Sequence, residues 1–327
     1  MSNYQSVEKI NSLKQGIEKF TGKTYTDLTS AIQSLKDNGG ANETSFVVDT
    51  SKLTNFYAFC QGGRFEKYLN KFDTSNGTDF RYMFREWTLL TTIPQLDTSK
   101  GTYFNSMFES CISLTDIPLL NTSNGVSFYS MFYGCFNLTS VPPLDTSNGA
   151  NFSQMFQACH GLTTIPQLNT SKGTNFNRMF TLCSNLTTVP PLDTSNGTDF
   201  YGMFDNCSSL TTVPPLDISK GTDFVYMFRD CKLLQSVELT APSKDFLAST
   251  FQGCTALTSV TIGEGWSVNI YLNNSPLLTQ ECLHSMIENL ADLTGQKSKT
   301  FGIGATNIAK LDDEHKNMLL AKNWNYS

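Results

Sequence analysis

One block of sequence returns every 24 residues through most of the chain, and that period limits the fold more than any other feature. Asp193 to Phe200 repeats Asp73 to Phe80 letter for letter, and near-copies begin at Asp97, Asn121, Asp145, Asn169 and Asp217. A degenerate copy begins at Asp49. The last full copy loses one residue near Glu238 and leads into another degenerate copy with Phe251, Cys254, Leu257 and Val260. The idealised unit is D-T-S-N-G-T-D-F-x-x-M-F-x-x-C-x-x-L-T-T-V-P-P-L. A repeat of this length is one supersecondary unit that cannot bury its own apolar edge, so the copies must stack.

Each part of the unit has a physical reading. Asp, Ser and Asn side chains bond local backbone and Gly permits positive φ, so D-T-S-N-G predicts a turn. Thr198 or Asp199 is then placed to cap a short helix. Phe200, Met203, Phe204 and Cys207 fall at i, i+3, i+4 and i+7, the spacing of one helical face. Leu210 to Val213 is short and β-branched, which predicts a strand, and Pro214 and Pro215 end it. The expected fold class is an α/β solenoid of leucine-rich repeats, each coil a short strand, a turn and a short helix. About seven apolar side chains per coil point inward, a gain of roughly 10–20 kcal/mol per coil before chain entropy.

The cysteines follow the period. Cys111, Cys135, Cys159, Cys183, Cys207 and Cys231 stand 24 residues apart. Residues stacked on a strand spacing of about 4.8 Å are too far apart for a disulfide, whose Cβ atoms sit about 3.8 Å apart. No C-x-x-C pair offers a zinc site, and Trp87 takes the cysteine position in one coil. Buried thiols are expected.

The segment M-F-x-x-C-x-x-L-T-x-V at this period resembles the BspA-like, mycoplasma-type bacterial leucine-rich repeats. The resemblance covers 49–265. Where those repeats often have Val after the Asn, most copies here have Gly, and the strand ends in Pro-Pro-Leu or Pro-Gln-Leu. The resemblance implies a solenoid that serves adhesion or ligand binding. The fold does not name the ligand.

The two ends differ from the repeats. Val7, Ile10, Leu13, Ile17 and Phe20 make an amphipathic stripe that is nearly a heptad seam. A second short helix carries Leu28, Ile32 and Leu35, and Gly39-Gly40 opens a linker. We assign 1–38 to anchoring or oligomerisation, 39–48 to a linker, 49–265 to the solenoid and 266–327 to a C-terminal cap. A plain N-terminal cap is the alternative for 1–38. Ile10 to Ile17, Thr21 to Leu28 and Ala31 to Leu35 are similar to N-terminal segments of structural proteins in phages of Gram-positive bacteria. That resemblance implies virion proteins as partners. It fits the expectation of no secretory signal, since Met1 to Ser6 lacks a basic and an apolar region. In the cap, Thr279 is placed to start a helix with Cys282, Met286, Ile287 and Leu290 on its apolar face. Thr300 to Ile303 reads as a strand, and Asp312 or Asp313 opens a final helix.

Net charge is −6, which argues against nucleic acid and anionic lipid as partners. No run of 18 apolar residues offers a membrane span. Only His160, His284 and His315 are histidines. No nucleophile elbow, phosphate loop or metal-ligand spacing accompanies them, so no enzymatic activity, cofactor or metal is expected. The loop from Asp73 to Asp79 has some character of a calcium loop, but Asn replaces Asp at 121 and 169, and turn formation explains it better.

Variation between copies points to the binding surface. Core positions barely change, whereas those of residues 81, 82, 85, 86, 88 and 89 change freely and collect aromatics and arginines. These are Arg81, Tyr82, Arg85, Tyr129, Tyr133, Phe136, Arg178, Tyr201, Tyr226 and Arg229. Such residues are enriched at interfaces. Tyr129, Tyr133 and Phe136, with Ile112 and His160 one coil to either side, are expected to form an outward apolar patch. The other reading is that exposed positions accept almost anything. A row of Thr92, Ser140, Thr164, Thr188 and Thr212 lines another face. The favoured expectation is a phage or prophage tail or baseplate protein that contacts a host-surface glycan or protein and can self-associate. The rivals are a bacterial cell-surface adhesin with its secretory signal removed, and a virion decoration protein without a receptor.

Overall fold

A computed structural model describes residues 53–63, 69–70, 72–240, 242, 244–246 and 249–327. The expected helices of 1–38, with Val7, Ile10, Leu13, Ile17 and Phe20, and the linker 39–48 lie outside the described residues. Parallel bridges join Asn55, Asp79, Tyr103, Ser127, Asn151, Asn175, Asp199 and Asp223 in order, each 24 residues from the last. Each repeat is therefore one coil of a solenoid.

The segment expected to be a helix is a ribbon of turns. The N–H groups of Phe80, Tyr82, Phe84 and Glu86 donate to the carbonyls of Tyr103, Asn105, Met107 and Glu109 in the next coil, at 2.7–3.1 Å. Between them, the N–H groups of Met83, Arg85 and Trp87 donate three residues back, at 3.1–3.2 Å. A helix keeps these donors inside itself; here alternate donors leave the coil. A four-residue turn repeat also puts i, i+3, i+4 and i+7 on one side, so the apolar spacing of Phe200, Met203, Phe204 and Cys207 fits both structures. The turn ribbon needs left-handed backbone at two places per coil: Tyr82 (φ 58) and Glu86 (φ 59), Ser106 (φ 55) and Ser110 (φ 60), Arg178 (φ 53) and Leu182 (φ 64). Left-handed backbone costs an L-residue roughly 1–2 kcal/mol. The hydrogen bonds between coils offset it. Asp199 caps no helix; its Oδ1 accepts from the N–H of Tyr201 at 3.0 Å, a local turn.

The expected strand in every coil forms only where proline is absent. β1 (Ser236–Leu239) and β2 (Ser259–Ile262) pair in parallel. Proline lacks the N–H that a ladder needs, and the other coils carry Pro94, Pro118, Pro142, Pro166, Pro190 or Pro214 at this place. Thr212 bridges Ser236 at 24 residues, but Leu216 bridges Leu239 at 23. The deleted residue therefore falls at the proline step. Two single-proline coils restore a donor with a side chain: Gln95 Nε2 donates to the Leu119 carbonyl and Gln167 Nε2 to the Pro191 carbonyl, both at 2.7 Å.

The core is two columns of rings. Phe80, Phe104, Phe128, Phe152, Phe176 and Phe200 stack at 5.6–6.1 Å between centroids. Phe84, Phe108, Phe132, Phe156, Phe180 and Phe204 stack at 5.4–5.7 Å. Beside them runs the sulfur column. All nine cysteines are buried and free, and the Cys159 and Cys207 thiols donate to the carbonyls of Phe132 and Phe180 at 3.1 Å. Outside, the turns from Asp97 to Asp193 are pinned twice, as at Asp193: Ser195 N–H donates to Asp193 Oδ1 at 3.1 Å, and buried Thr194 Oγ1 donates to the Asp217 carbonyl at 2.8 Å.

The C-terminal cap continues the stack with a parallel sheet of β3 (Ile270–Tyr271), β4 (Lys299–Gly302) and β5 (Trp324–Tyr326). Helices α1 (Gln280–Asn289), α2 (Gly304–Ile308) and α3 (Asp313–Ala321) link the strands. Thr279 Oγ1 caps α1 by accepting from the Cys282 N–H at 3.1 Å. Buried Trp266 meets Phe246 edge-on at 5.5 Å and so closes the first ring column. No helix among the described residues is long and apolar enough to cross a membrane.

Candidate functional site

The turn ribbon decides which side chains face out. Within each four-residue step the first and last residues point into the core, as Phe80 and Met83 do, and the two between form the outer ridge. Arg81 and Tyr82 are half-buried there, Arg85 also, and Glu86 is exposed. Equivalent positions lie 24 residues apart and become neighbours, so the ridge is read across coils.

Two mixed clusters form on it. Near the N-terminal end, the Arg81 guanidinium bonds Asp79 twice, Nε to Oδ1 at 2.9 Å and Nη2 to Oδ2 at 2.7 Å. It also sits 5.5 Å from the Tyr57 ring centroid and 5.1 Å from that of Tyr103. Tyr82 meets Tyr57 edge-on at 5.2 Å, and Arg85 lies over the Tyr82 ring while bonding Glu109 at 3.0 Å. Further along, Arg178 lies 5.0 Å from the Tyr201 ring centroid, Tyr201 meets Tyr226 edge-on at 5.8 Å, and Arg229 lies 4.0 Å from the Tyr226 centroid. Arg229 also bonds Asp205 at 2.7 and 2.6 Å. The Asp79 and Asp205 hydrogen bonds raise the pKa of Arg81 and Arg229 above the ordinary guanidinium value.

These contacts divide the expected site residues by role. Arg81, Arg85 and Arg229 neutralise carboxylates of their own chain. Among the described residues, the Arg178 guanidinium has no ion pair and only the Tyr201 hydroxyl, 3.4 Å away, as a hydrogen-bond partner. What the ridge presents at the surface is mainly tyrosine rings packed against guanidiniums. Tyr57 and Tyr103, both exposed, belong to it and were not among the expected residues.

The mid-solenoid patch is smaller than expected. Phe136 is exposed and packs on His160 at 5.3 Å. Tyr129, Tyr133 and Ile112 are half-buried. The two tyrosines do not share a helix face; each occupies the same slot of successive four-residue turns. Among the described residues no ring contact joins either of them to Phe136. The position of residue 82 is not free everywhere, since Ser106 and Ser130 are buried there. The residues Thr92, Ser140, Thr164, Thr188 and Thr212 are exposed.

An unchanging core beneath a changing ridge defines a repeat solenoid whose coils differ mainly in their surface side chains. By sequence, the chain belongs to the family described as Mycoplasma protein of unknown function, DUF285, which matches residues 26–140, 51–165 and 126–241. The overlapping matches reflect the internal period, and they agree with the mycoplasma-type, BspA-like character of the unit. No curated protein sequence matches. Among solved structures, an internalin from Listeria monocytogenes is 13% identical, with 95% of this chain and 90% of that one covered and a TM-score of 0.33. A leucine-rich repeat protein from Bacteroides ovatus is 15% identical, covering 67% and 70%, with a TM-score of 0.26. In a TLR13–ssRNA13 complex the identity is 13%, the TM-score is 0.29, and the chain spans 35% of that protein's length. At these TM-scores the solenoid assignment rests on the register of bridges and hydrogen bonds within the chain itself.

Proposed function

We propose that this chain is a non-enzymatic adhesion protein that holds a glycan or protein of a host surface against its tyrosine and arginine ridge. The observation that carries this reading is the contrast within each coil. The Phe, Met, Phe and Leu slots repeat, while the adjoining ridge slots change from coil to coil and gather Tyr and Arg. Rigid aromatic faces suit the flat apolar sides of sugar rings and are enriched at protein interfaces. The display site we favour is the tail or baseplate of a phage or prophage particle, on the resemblance of 10–35 to phage structural proteins. The BspA-like repeat favours a second placement, on a bacterial cell surface.

The test is binding of the full chain to intact bacteria and to purified cell wall, with Tyr103→Ser, Tyr201→Asn and Phe136→Ser combined. Each change installs a residue type that another coil carries at the same slot: Ser127, Asn177 and Ser184. The fold should persist while affinity falls about tenfold or more, near 1.4 kcal/mol. Unchanged binding by this variant contradicts the reading. Antibody labelling of particles and of cells separates the two placements.

A further inference from the structure

We propose that the C-terminal cap binds a transition-metal ion, zinc in preference to calcium or magnesium, through His284, Asp312 and His315. The sequence offered no metal-ligand spacing, because His284 stands on a different helix from Asp312 and His315. His284 lies on α1, Asp312 is the N-cap of α3, and His315 is in its first turn. One ligand atom from each lies within 4.8 Å of the others. The two imidazoles stack with centroids 3.5 Å apart and planes 10° from parallel. His315 Nδ1 lies 2.8 Å from Asp312 Oδ1, and His284 Nε2 approaches Oδ2 at 3.5 Å.

Two features set this trio apart from an ordinary helix cap. His284 Nε2 is buried without a hydrogen-bond partner, which is costly for a polar atom. The stacked imidazoles, 3.5 Å apart, also bring ring nitrogens from two separate helices together beside one carboxylate, and a neutral imidazole has a nitrogen lone pair to offer. Two imidazoles and a carboxylate suit zinc and its neighbours, whereas calcium and magnesium want oxygen ligands. Metal–nitrogen distances of about 2.0–2.1 Å require the rings to turn out of the stack. His284, the more exposed of the two, is the one placed to turn. Asp312 opens to solvent, from which water supplies the fourth ligand. The bound ion ties α1 to α3 and so fastens the cap over the last coils.

The test uses the full chain without a histidine tag, stripped with chelator and titrated with cobalt(II) and then zinc(II). The expected result is one ion per chain, a visible absorption band of four-coordinate cobalt that zinc abolishes, and a rise in Tm on loading. Asp312→Asn keeps an equally good N-cap but removes the carboxylate, and His284→Gln removes an imidazole at a partly exposed position. Each should weaken binding about tenfold or more while the metal-free Tm stays near that of the parent. Absence of stoichiometric binding overturns the proposal. So does cobalt binding that both variants retain at parental affinity.

Discussion

A Cβ placed on Gly197 would stand 2.3 Å from Cζ of Phe200, so residue 197 can carry no side chain while that ring keeps its place in the column. Gly77 and Gly101 stand in the same relation to Phe80 and Phe104, at 2.4 and 2.5 Å. The turn glycine was expected to supply positive φ, yet Gly197 is not among the positive-φ glycines. Close approach, not backbone freedom, demands it. Gly197→Ala should cost about 1–3 kcal/mol through overpacking, measured by urea denaturation. Phe200→Leu, which removes Cζ, should make the added cost of Gly197→Ala smaller in the double variant. A neutral Gly197→Ala, or strictly additive costs, would show that the ring does not set this glycine.

The thiol column gives a pH dependence. Burial pushes the Cys111, Cys183 and Cys254 thiols up to about 12 from an ordinary value of 9.0. The folded state thus holds protons that the unfolded chain releases above about pH 9. The stability is complete below pH 9 and declines as pH rises toward 12, by up to about 1.4 kcal/mol per pH unit for each thiol. The Tm under reducing conditions should fall across that window, and less steeply for Cys183→Val. A thiol reagent should find few groups in the native state and all nine in denaturant. A Cys183→Val slope identical to the parent contradicts this account.

The repeat period, the inward Phe, Met, Phe and Cys positions, the start of α1 at Thr279 and the strand near Thr300 were all legible in the sequence. The turn ribbon was not, because a period of four and a period of 3.6 place the same short run of residues inside. Gly134, Gly202, Asn206 and Asp230 occupy its left-handed positions. Residues tolerant of positive φ recurring there were the available clue. Tyr103 escaped notice because it stands at a slot that Asp79 fills in the preceding coil, and Tyr57 because its coil is degenerate. His284 and His315 become neighbours only through the packing of α1 beside α3, which no local pattern announces.

The arginines of the ridge should separate by role. Arg229→Ala strands the buried Asp205 carboxylate, which then keeps Asn206 as a side-chain partner. The expected loss is about 1–3 kcal/mol, tempered by the partial exposure of the guanidinium. Arg178→Ala removes one long hydrogen bond and a ring contact, a loss of about 1 kcal/mol or less. Chemical denaturation of the two variants checks the order. Equal costs would mean that Arg229 is no more structural than Arg178.

The ridge as the binding surface is tested most directly by hydroxyl-radical footprinting of the full chain, free and bound to host cell wall. Tyr57, Tyr103, Tyr201, Tyr226 and Phe136 should be protected on binding. The exposed row of Thr92, Thr164, Thr188 and Thr212 should react equally in both states. Protection of the threonine row with the tyrosines unchanged would contradict it and place the ligand on the other face.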